Sequence, residues 1–129
     1  MTRTCDCTTA TATGDTVETT IGTITLPPSA RKIVGIGCYA MGAATLTSGE
    51  PVTGIFRVAV SGKDVTPAKF PLDIIDILTS GAIALNPRIF EVDWENVANS
   101  IVEFFVTMDV AQSGGLKARG YVIFDKDVR

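Results

Sequence analysis

The chain has 129 residues, with eleven Lys and Arg against fourteen Asp and Glu for a net charge of -3, and it is 46% hydrophobic and 19% charged. That length suits one domain, and a mean hydropathy of +0.32 excludes disorder while being high for a small soluble monomer. The absence of histidine excludes Ser-His-Asp and Cys-His catalysis, His-ligated zinc and an imidazole base. Cations scattered singly, with Arg31-Lys32 and Lys117/Arg119 as the densest runs, argue against direct nucleic-acid binding, which needs clustered charge.

Eleven of the first twenty-five residues are Thr, a composition that suits extended backbone but buries no core of its own. Residues 1–16 therefore read as a Thr-rich N-terminal arm and residues 17–129 as the folded domain. Fully extended, such an arm reaches on the order of 50 Å, far enough to cross to a neighbouring subunit. Cys5 and Cys7 lie in it one residue apart, so their side chains share one side of an extended strand. Three cysteines are too few for a disulfide framework. Cys5 and Cys7 are candidates for contact between chains through a disulfide or shared metal, or are inert thiols, whereas Cys38 sits in an apolar run and reads as a small buried hydrophobe. No basic region followed by an apolar core opens the chain, so no secretory signal is read.

From Val17 onward the pattern is short β runs and turn residues, without sustained helical periodicity. Val17 to Leu26 forms the first run and stops at Pro27-Pro28-Ser29. Lys32 to Met41 forms the second, with Val34, Ile36, Cys38 and Ala40 on one face and Gly35 and Gly37 on the other. A face lined by glycine implies something large packed over the backbone. The stretch from Ile33 to Gly49 is free of charge but too short and too rich in glycine to span a bilayer.

A loop is expected over 47–51, then a strand from Thr53 to Ser61 with Phe56, Val58 and Val60 on one side, ended by Ser61-Gly62-Lys63-Asp64. Val65 to Leu72 reads as an irregular crossover with edge-strand character, and Asp73 to Leu78 as a helical turn or a short strand. Arg88 to Glu95 alternates Phe90, Val92 and Trp94 against Glu91, Asp93 and Glu95. Ser100 to Val110 turns Val102, Phe104, Val106, Met108 and Val110 inward, leaving Ile101, Glu103, Phe105, Thr107 and Asp109 on the other face. Residues 112–115 read as a hairpin connection to Lys117–Phe124, pairing Glu103 or Asp109 with Lys117 or Arg119 across the strands. Seven or eight such strands imply an all-β, two-sheet antiparallel β-sandwich, jelly-roll-like, with an extended N-terminal arm.

Three constellations bear on chemistry. Glu91, Asp93 and Glu95 project from one strand face, where a hard cation such as calcium would relieve their repulsion; a solvated strand face is the plainer account. Asp73 and Asp76 form a carboxylate pair of the kind glycoside hydrolysis uses, but need a cleft that splits their pKa values. Trp94, Tyr39, Tyr121 and Phe105 are the candidates for an aromatic platform for sugar rings, with core packing as the alternative. None of these amounts to an enzyme site or a cofactor site.

The Thr-rich arm to Thr16, the Pro27-Pro28 corner and the alternating runs 88–95, 100–110 and 117–124 together resemble small single jelly-roll capsid, cement or decoration proteins of viruses. The resemblance implies a structural subunit of a virion that assembles with its own copies or with other shell proteins. Arg3 stands alone against Asp6 and Asp15 in the arm, so a shell role without genome contact is expected. High hydropathy, the half-apolar face at Ile101 and Phe105, and the glycine-lined face at Gly35 and Gly37 point the same way, since large apolar patches are rare on monomers. Cys5, Cys7, Gly35, Gly37, Ile101 and Phe105 are thus the candidate interface residues. A small-molecule ligand is not expected. The alternative is an extracellular β-sandwich module that binds carbohydrate or calcium.

Overall fold

Runs in which β-branched and aromatic residues alternate with polar ones bury one face and wet the other, and in the computed structural model every such run is a strand. The structure describes residues 2–42, 53–65, 69–76, 88–111 and 116–127. The expected loop over 47–51, the connection over 112–115 and the ends of both the charge-free stretch and the Asp73–Leu78 segment lie outside these residues.

Among the described residues eleven strands and no helix form two sheets. The first sheet holds β1 (Thr2–Cys7), β2 (Thr11–Thr13), β4 (Ala30–Gly42), β8 (Asp73–Asp76), β9 (Phe90–Glu95) and β11 (Leu116–Lys126). The second holds β3 (Thr19–Thr25), β5 (Gly54–Val60), β6 (Lys63–Asp64), β7 (Phe70–Pro71) and β10 (Ile101–Met108). β4 and β11 are central in the first, with β1 and β2 end to end along the outer side of β11, and β9 and β8 along the outer side of β4. The second runs β3-β10-β5, with β6 and β7 against β5. The first strand neighbours the last in one sheet, and β3 neighbours β10 in the other. This nested pairing is that of a jelly roll.

Between the sheets lie Ile21, Leu26, Ile33, Ile36, Phe56, Val58, Phe104, Val106, Met108 and Val122, all essentially without exposure. Each contributes roughly 1.5–3 kcal/mol by leaving water. The inward set of β10 is as its alternation predicts from Val102 to Met108; Val110 falls past the strand's end and is exposed. Phe90, Val92 and Trp94 pack against the core from β9 while Glu91, Asp93 and Glu95 stay outside.

Several expectations are corrected. The count of seven or eight strands becomes eleven among the described residues, because pairing also captures two- to four-residue pieces such as β6, β7 and β8. Asp73 to Asp76 is a strand, and it pairs parallel with β4, whereas the other pairings among the described residues are antiparallel. In β4 the register shifts between Ile33 and Gly35, so Ile33 fills the core and Val34 is only half-buried; a bulge of this kind inverts the alternation on one side of itself. β10 and β11 are not a hairpin: they belong to different sheets, and the expected pairing of Glu103 or Asp109 with Lys117 or Arg119 does not arise. Asp109 instead accepts a hydrogen bond from the Thr53 hydroxyl. Within the arm, Thr2–Cys7 pairs with Lys126–Tyr121 and Thr11–Thr13 with Ala118–Leu116.

Candidate functional site

β1 is the least buried long strand of the fold, exposed at Thr2, Arg3, Cys5, Asp6 and Cys7 and only half-buried at Thr4. No strand among the described residues pairs with its other side. The direction of its backbone groups follows from Thr8, whose N–H donates to the Gly120 carbonyl at 2.9 Å. Hydrogen-bonded pairs alternate along an antiparallel ladder, and the β1–β11 register has no shift. Asp6, Thr4 and Thr2 therefore turn their N–H and C=O toward β11. Arg3, Cys5 and Cys7 turn theirs outward. The Cys7 N–H accordingly donates to the Asp6 carboxylate at 2.8 Å instead of to β11.

Opposite Asp125, Ile123 and Tyr121 respectively, the side chains of Arg3, Cys5 and Cys7 stand on the outer face of the first sheet. The Arg3 Nε donates to Asp125 at 2.9 Å, and this contact holds the Asp125 carboxyl below the ordinary carboxylate range. All three thiols are free, with Cys5 and Cys7 exposed and Cys38 buried as expected. Burial, then the neighbouring Cys7 and Asp6, pushes the Cys5 thiol up; burial raises Cys38 much further, which leaves it a non-nucleophilic core group.

The glycine-lined face is covered by the chain itself. A Cβ on Gly37 would overlap the ring and hydroxyl of Tyr121, and one on Gly35 would come within 2.9 Å of Ile89. The Tyr121 ring lies over Gly37 of β4, and its hydroxyl donates to the Arg88 carbonyl at 2.5 Å. Gly37 is thus required by an intrachain contact and is not open to a sister copy. Beside it Val34, Gly35, Ile89 and Ile123 floor a concavity of about 360 Å³, rimmed by Arg3, Lys32, Glu91 and Asp93. Arg3 joins this concavity to the β1 edge.

On the outer face of the second sheet, Ile101 is 47% exposed, but Phe105 lies under the Arg57 guanidinium, 4.1 Å from the ring centroid. Arg57 also reaches Glu18 at 2.7 Å and Asp64 at 2.5 Å. Its hydrogen bond holds the Glu18 carboxyl below its usual value. Arg57 thus covers part of the Phe105 ring, which remains half-buried beside the more exposed Ile101.

Of the three chemical constellations, the Asp73/Asp76 pair lies partly outside the described residues, at the Asp76 side chain. Asp93 is paired with Lys32 at 3.2 Å, and among the described residues no three His, Cys, Asp or Glu side chains, the Glu91/Asp93/Glu95 triplet included, converge on one point. Asp73 accepts from the Arg88 side chain at 2.5 Å and from its backbone N–H at 2.8 Å, a structural clamp between β8 and the start of β9. Tyr121 is buried, Trp94 and Tyr39 are half-buried on the first sheet, and Phe105 belongs to the second, so the four aromatics make no common platform.

Two features escaped the sequence. Thr8, between β1 and β2, is buried and accepts from the Gly120 N–H at 3.1 Å, and its side chain packs so closely on Gly22 of β3 that a Cβ there would lie 2.7 Å away. It pins the arm across both sheets; a buried Thr among many exposed ones leaves no signal beyond the glycine opposite. The second is a small cleft at one end of the sandwich, lined by Trp94, Glu95, Asn96, Lys63, Ser61 and Ser100. The Ser61-Gly62 turn shapes it with positive φ at both residues (50° and 85°), the geometry of a tight two-residue hairpin turn.

No protein-family model and no curated protein matches the chain. Among solved structures it is similar to "EclA C-terminal domain; sugar-binding protein", over 95% of this chain and 79% of that one, at 13% identity and a TM-score of 0.38. At that TM-score the likeness carries no argument about function.

Proposed function

We propose that this protein is a structural subunit that self-associates through its first sheet, of the shell or filament kind to which small jelly-roll capsid and decoration proteins belong. The observation that carries the proposal is β1, a six-residue strand exposed along nearly its whole length, with outward-facing backbone groups at Arg3, Cys5 and Cys7. Exposed edges are normally blunted by proline, charged side chains, a bulge or a covering loop; β1 has no proline and no register shift, and its two charges are engaged within the chain, Arg3 with Asp125 and Asp6 with the Cys7 N–H. The concavity floored by Val34, Ile89 and Ile123 adds apolar surface to the same side. Gly37 lies beneath Tyr121 of the same chain, while Phe105 is half-buried with Arg57 over its ring.

Sedimentation velocity and negative-stain imaging of the purified full-length protein test this. Association that rises with concentration is expected, and it should be lost when residues 1–7 are deleted. That deletion removes no residue of the hydrophobic core, so a cooperative thermal transition should survive it. A monomer at every concentration overturns the proposal.

A second reading, a carbohydrate-binding module, is favoured by the end cleft, whose lining combines one half-buried aromatic residue, Trp94, with the polar residues Glu95, Asn96 and Lys63. Aromatic faces with a few convergent polar groups suit a sugar ring. Saturable binding on a glycan array by a monomer, lost in Trp94→Ala, would favour this reading over assembly.

A further inference from the structure

The outward backbone groups of β1 fix more than the existence of an edge. An antiparallel partner strand must meet Arg3, Cys5 and Cys7 with residues whose N–H and C=O also point outward. In a second copy of this chain those are the same three residues, so odd-numbered positions face odd-numbered positions across a two-fold axis. Centring the axis on Asp6 sets two carboxylates against each other. Centring it on Thr4 brings Arg3 against Cys5 and leaves Cys7 without a counterpart inside β1. Centring it on Cys5 uses all three positions: Arg3 faces Cys7 of the second copy, Cys5 faces Cys5, and Thr4 faces Asp6. No like charges meet in that register. The Asp6 carboxylate, which occupies the Cys7 N–H in the single chain, turns to the Thr4 hydroxyl of the second copy and frees that N–H for the Arg3 carbonyl.

Resting on the assembly reading, and naming its partner and register, we propose that two copies join β1 to β1 in an antiparallel pair centred on Cys5, which extends the first sheet across the dimer and places the two Cys5 thiols in disulfide range.

Opposed Cα atoms in a hydrogen-bonded antiparallel pair are about 5.5 Å apart, within the roughly 4.4–6.8 Å that a disulfide spans; their Cβ atoms stand at the wide end of about 4.5–5.5 Å, so the two strands draw together locally to the roughly 3.5–4.5 Å that the bond requires. Both Cys5 side chains stand on the same, exposed face of the extended sheet, opposite Ile123 in each chain. The covalent step is thiol–disulfide exchange with a small-molecule disulfide such as oxidised glutathione. One Cys5 thiolate attacks the glutathione disulfide and releases one glutathione thiolate. The Cys5 thiolate of the second copy then attacks the mixed disulfide, forms the Cys5–Cys5 bond and releases the second glutathione. Two protein thiols are oxidised, one glutathione disulfide is reduced to two thiols, and the two Cys5 protons end in solvent or on glutathione. Cys7 faces Arg3 in this register and takes no part. Cys38 is buried.

The test incubates full-length protein with oxidised glutathione and measures intact mass without reductant, beside sedimentation velocity in reductant. The expected product has twice the 13.6 kDa chain mass, survives in Cys7→Ser and is lost in Cys5→Ser. Cross-linking that requires Cys7 instead, an intrachain Cys5–Cys7 bond, or glutathione adducts alone would overturn the inference. If the reduced protein still associates through its first seven residues in any of those cases, the register fails while the assembly reading stands. A wild-type chain monomeric both reduced and oxidised sinks the two together.

Discussion

β1 and β10 are strands of similar length with opposite surroundings. β10 has a strand on each side, β3 and β5, and its Val102, Phe104, Val106 and Met108 are wholly buried. β1 has one neighbour and contributes no residue to the hydrophobic core. The first is held by apolar burial that the single chain completes. The second is held by main-chain bonds to β11 and by the surface contact of Arg3 with Asp125. The contrast separates what the monomer needs to fold from what it presents for association, and substitutions should divide along the same line.

The largest loss is expected at the centre of β10. Phe104 is fully buried and its ring lies against Gly120 of β11, so Phe104→Ala should cost about 3–5 kcal/mol, read as a lowered denaturation midpoint. No substitution in β1 should approach that. Next comes Gly37→Ala, whose new methyl would collide with the Tyr121 ring. Overpacking of this kind costs about 1–3 kcal/mol, and tyrosine fluorescence or near-UV dichroism should report the displaced ring. If Gly37 were an open docking surface, the same variant would leave stability unchanged and weaken association alone.

Arg57 sits between the two extremes, since it covers Phe105 and pairs with Glu18 and Asp64 while remaining partly exposed. After screening, Arg57→Ala should cost about 1–2 kcal/mol. Its pH dependence has a definite sign. The Glu18 carboxyl is held below its ordinary value in the folded chain, chiefly by the hydrogen bond from Arg57. Its stabilisation is therefore complete above the unfolded glutamate value of about 4.3 and is lost as pH falls through the folded value. Denaturant titrations should find the gap between wild type and Arg57→Ala narrowing below about pH 4.

What was legible in the sequence divides in the same way. The β-sandwich class and the inward faces of β9 and β10 could be read because burial imposes a period of two, visible in Phe90-Val92-Trp94 and in Val102-Phe104-Val106-Met108. The exposed thiols of Cys5 and Cys7 and the buried one of Cys38 followed from their neighbours. Sheet membership could not be read: whether β10 and β11 form a hairpin or an arch between sheets depends on their other partners, which no local turn signal records. The bulge at Ile33–Gly35 adds one residue to the count without marking the sequence. Gly35 and Gly37 announced a close approach, but not that Ile89 and Tyr121 of the same chain would supply it. The arm is the sharpest case, because threonines give the same composition whether they are unattached or laid along β11.

The smallest effect is expected at the backbone amides of β1. In dilute, reduced protein the Arg3 and Cys5 amides point away from β11 and should exchange with solvent nearly as fast as an unprotected chain. Those of Thr4 and Asp6 bond to β11 and should be slower. Amides of β10 inside the core should be slower again, approaching the limit set by global unfolding. A flat profile through β1, with neighbouring amides equally protected, would mean that its backbone does not alternate as the Thr8–Gly120 hydrogen bond requires, and the register centred on Cys5 would lose its basis. Raising the concentration, or oxidising Cys5, should slow the Cys5 amide while leaving β10 where it was. Only pairing along the β1 edge changes protection at that position without changing the stability of the core.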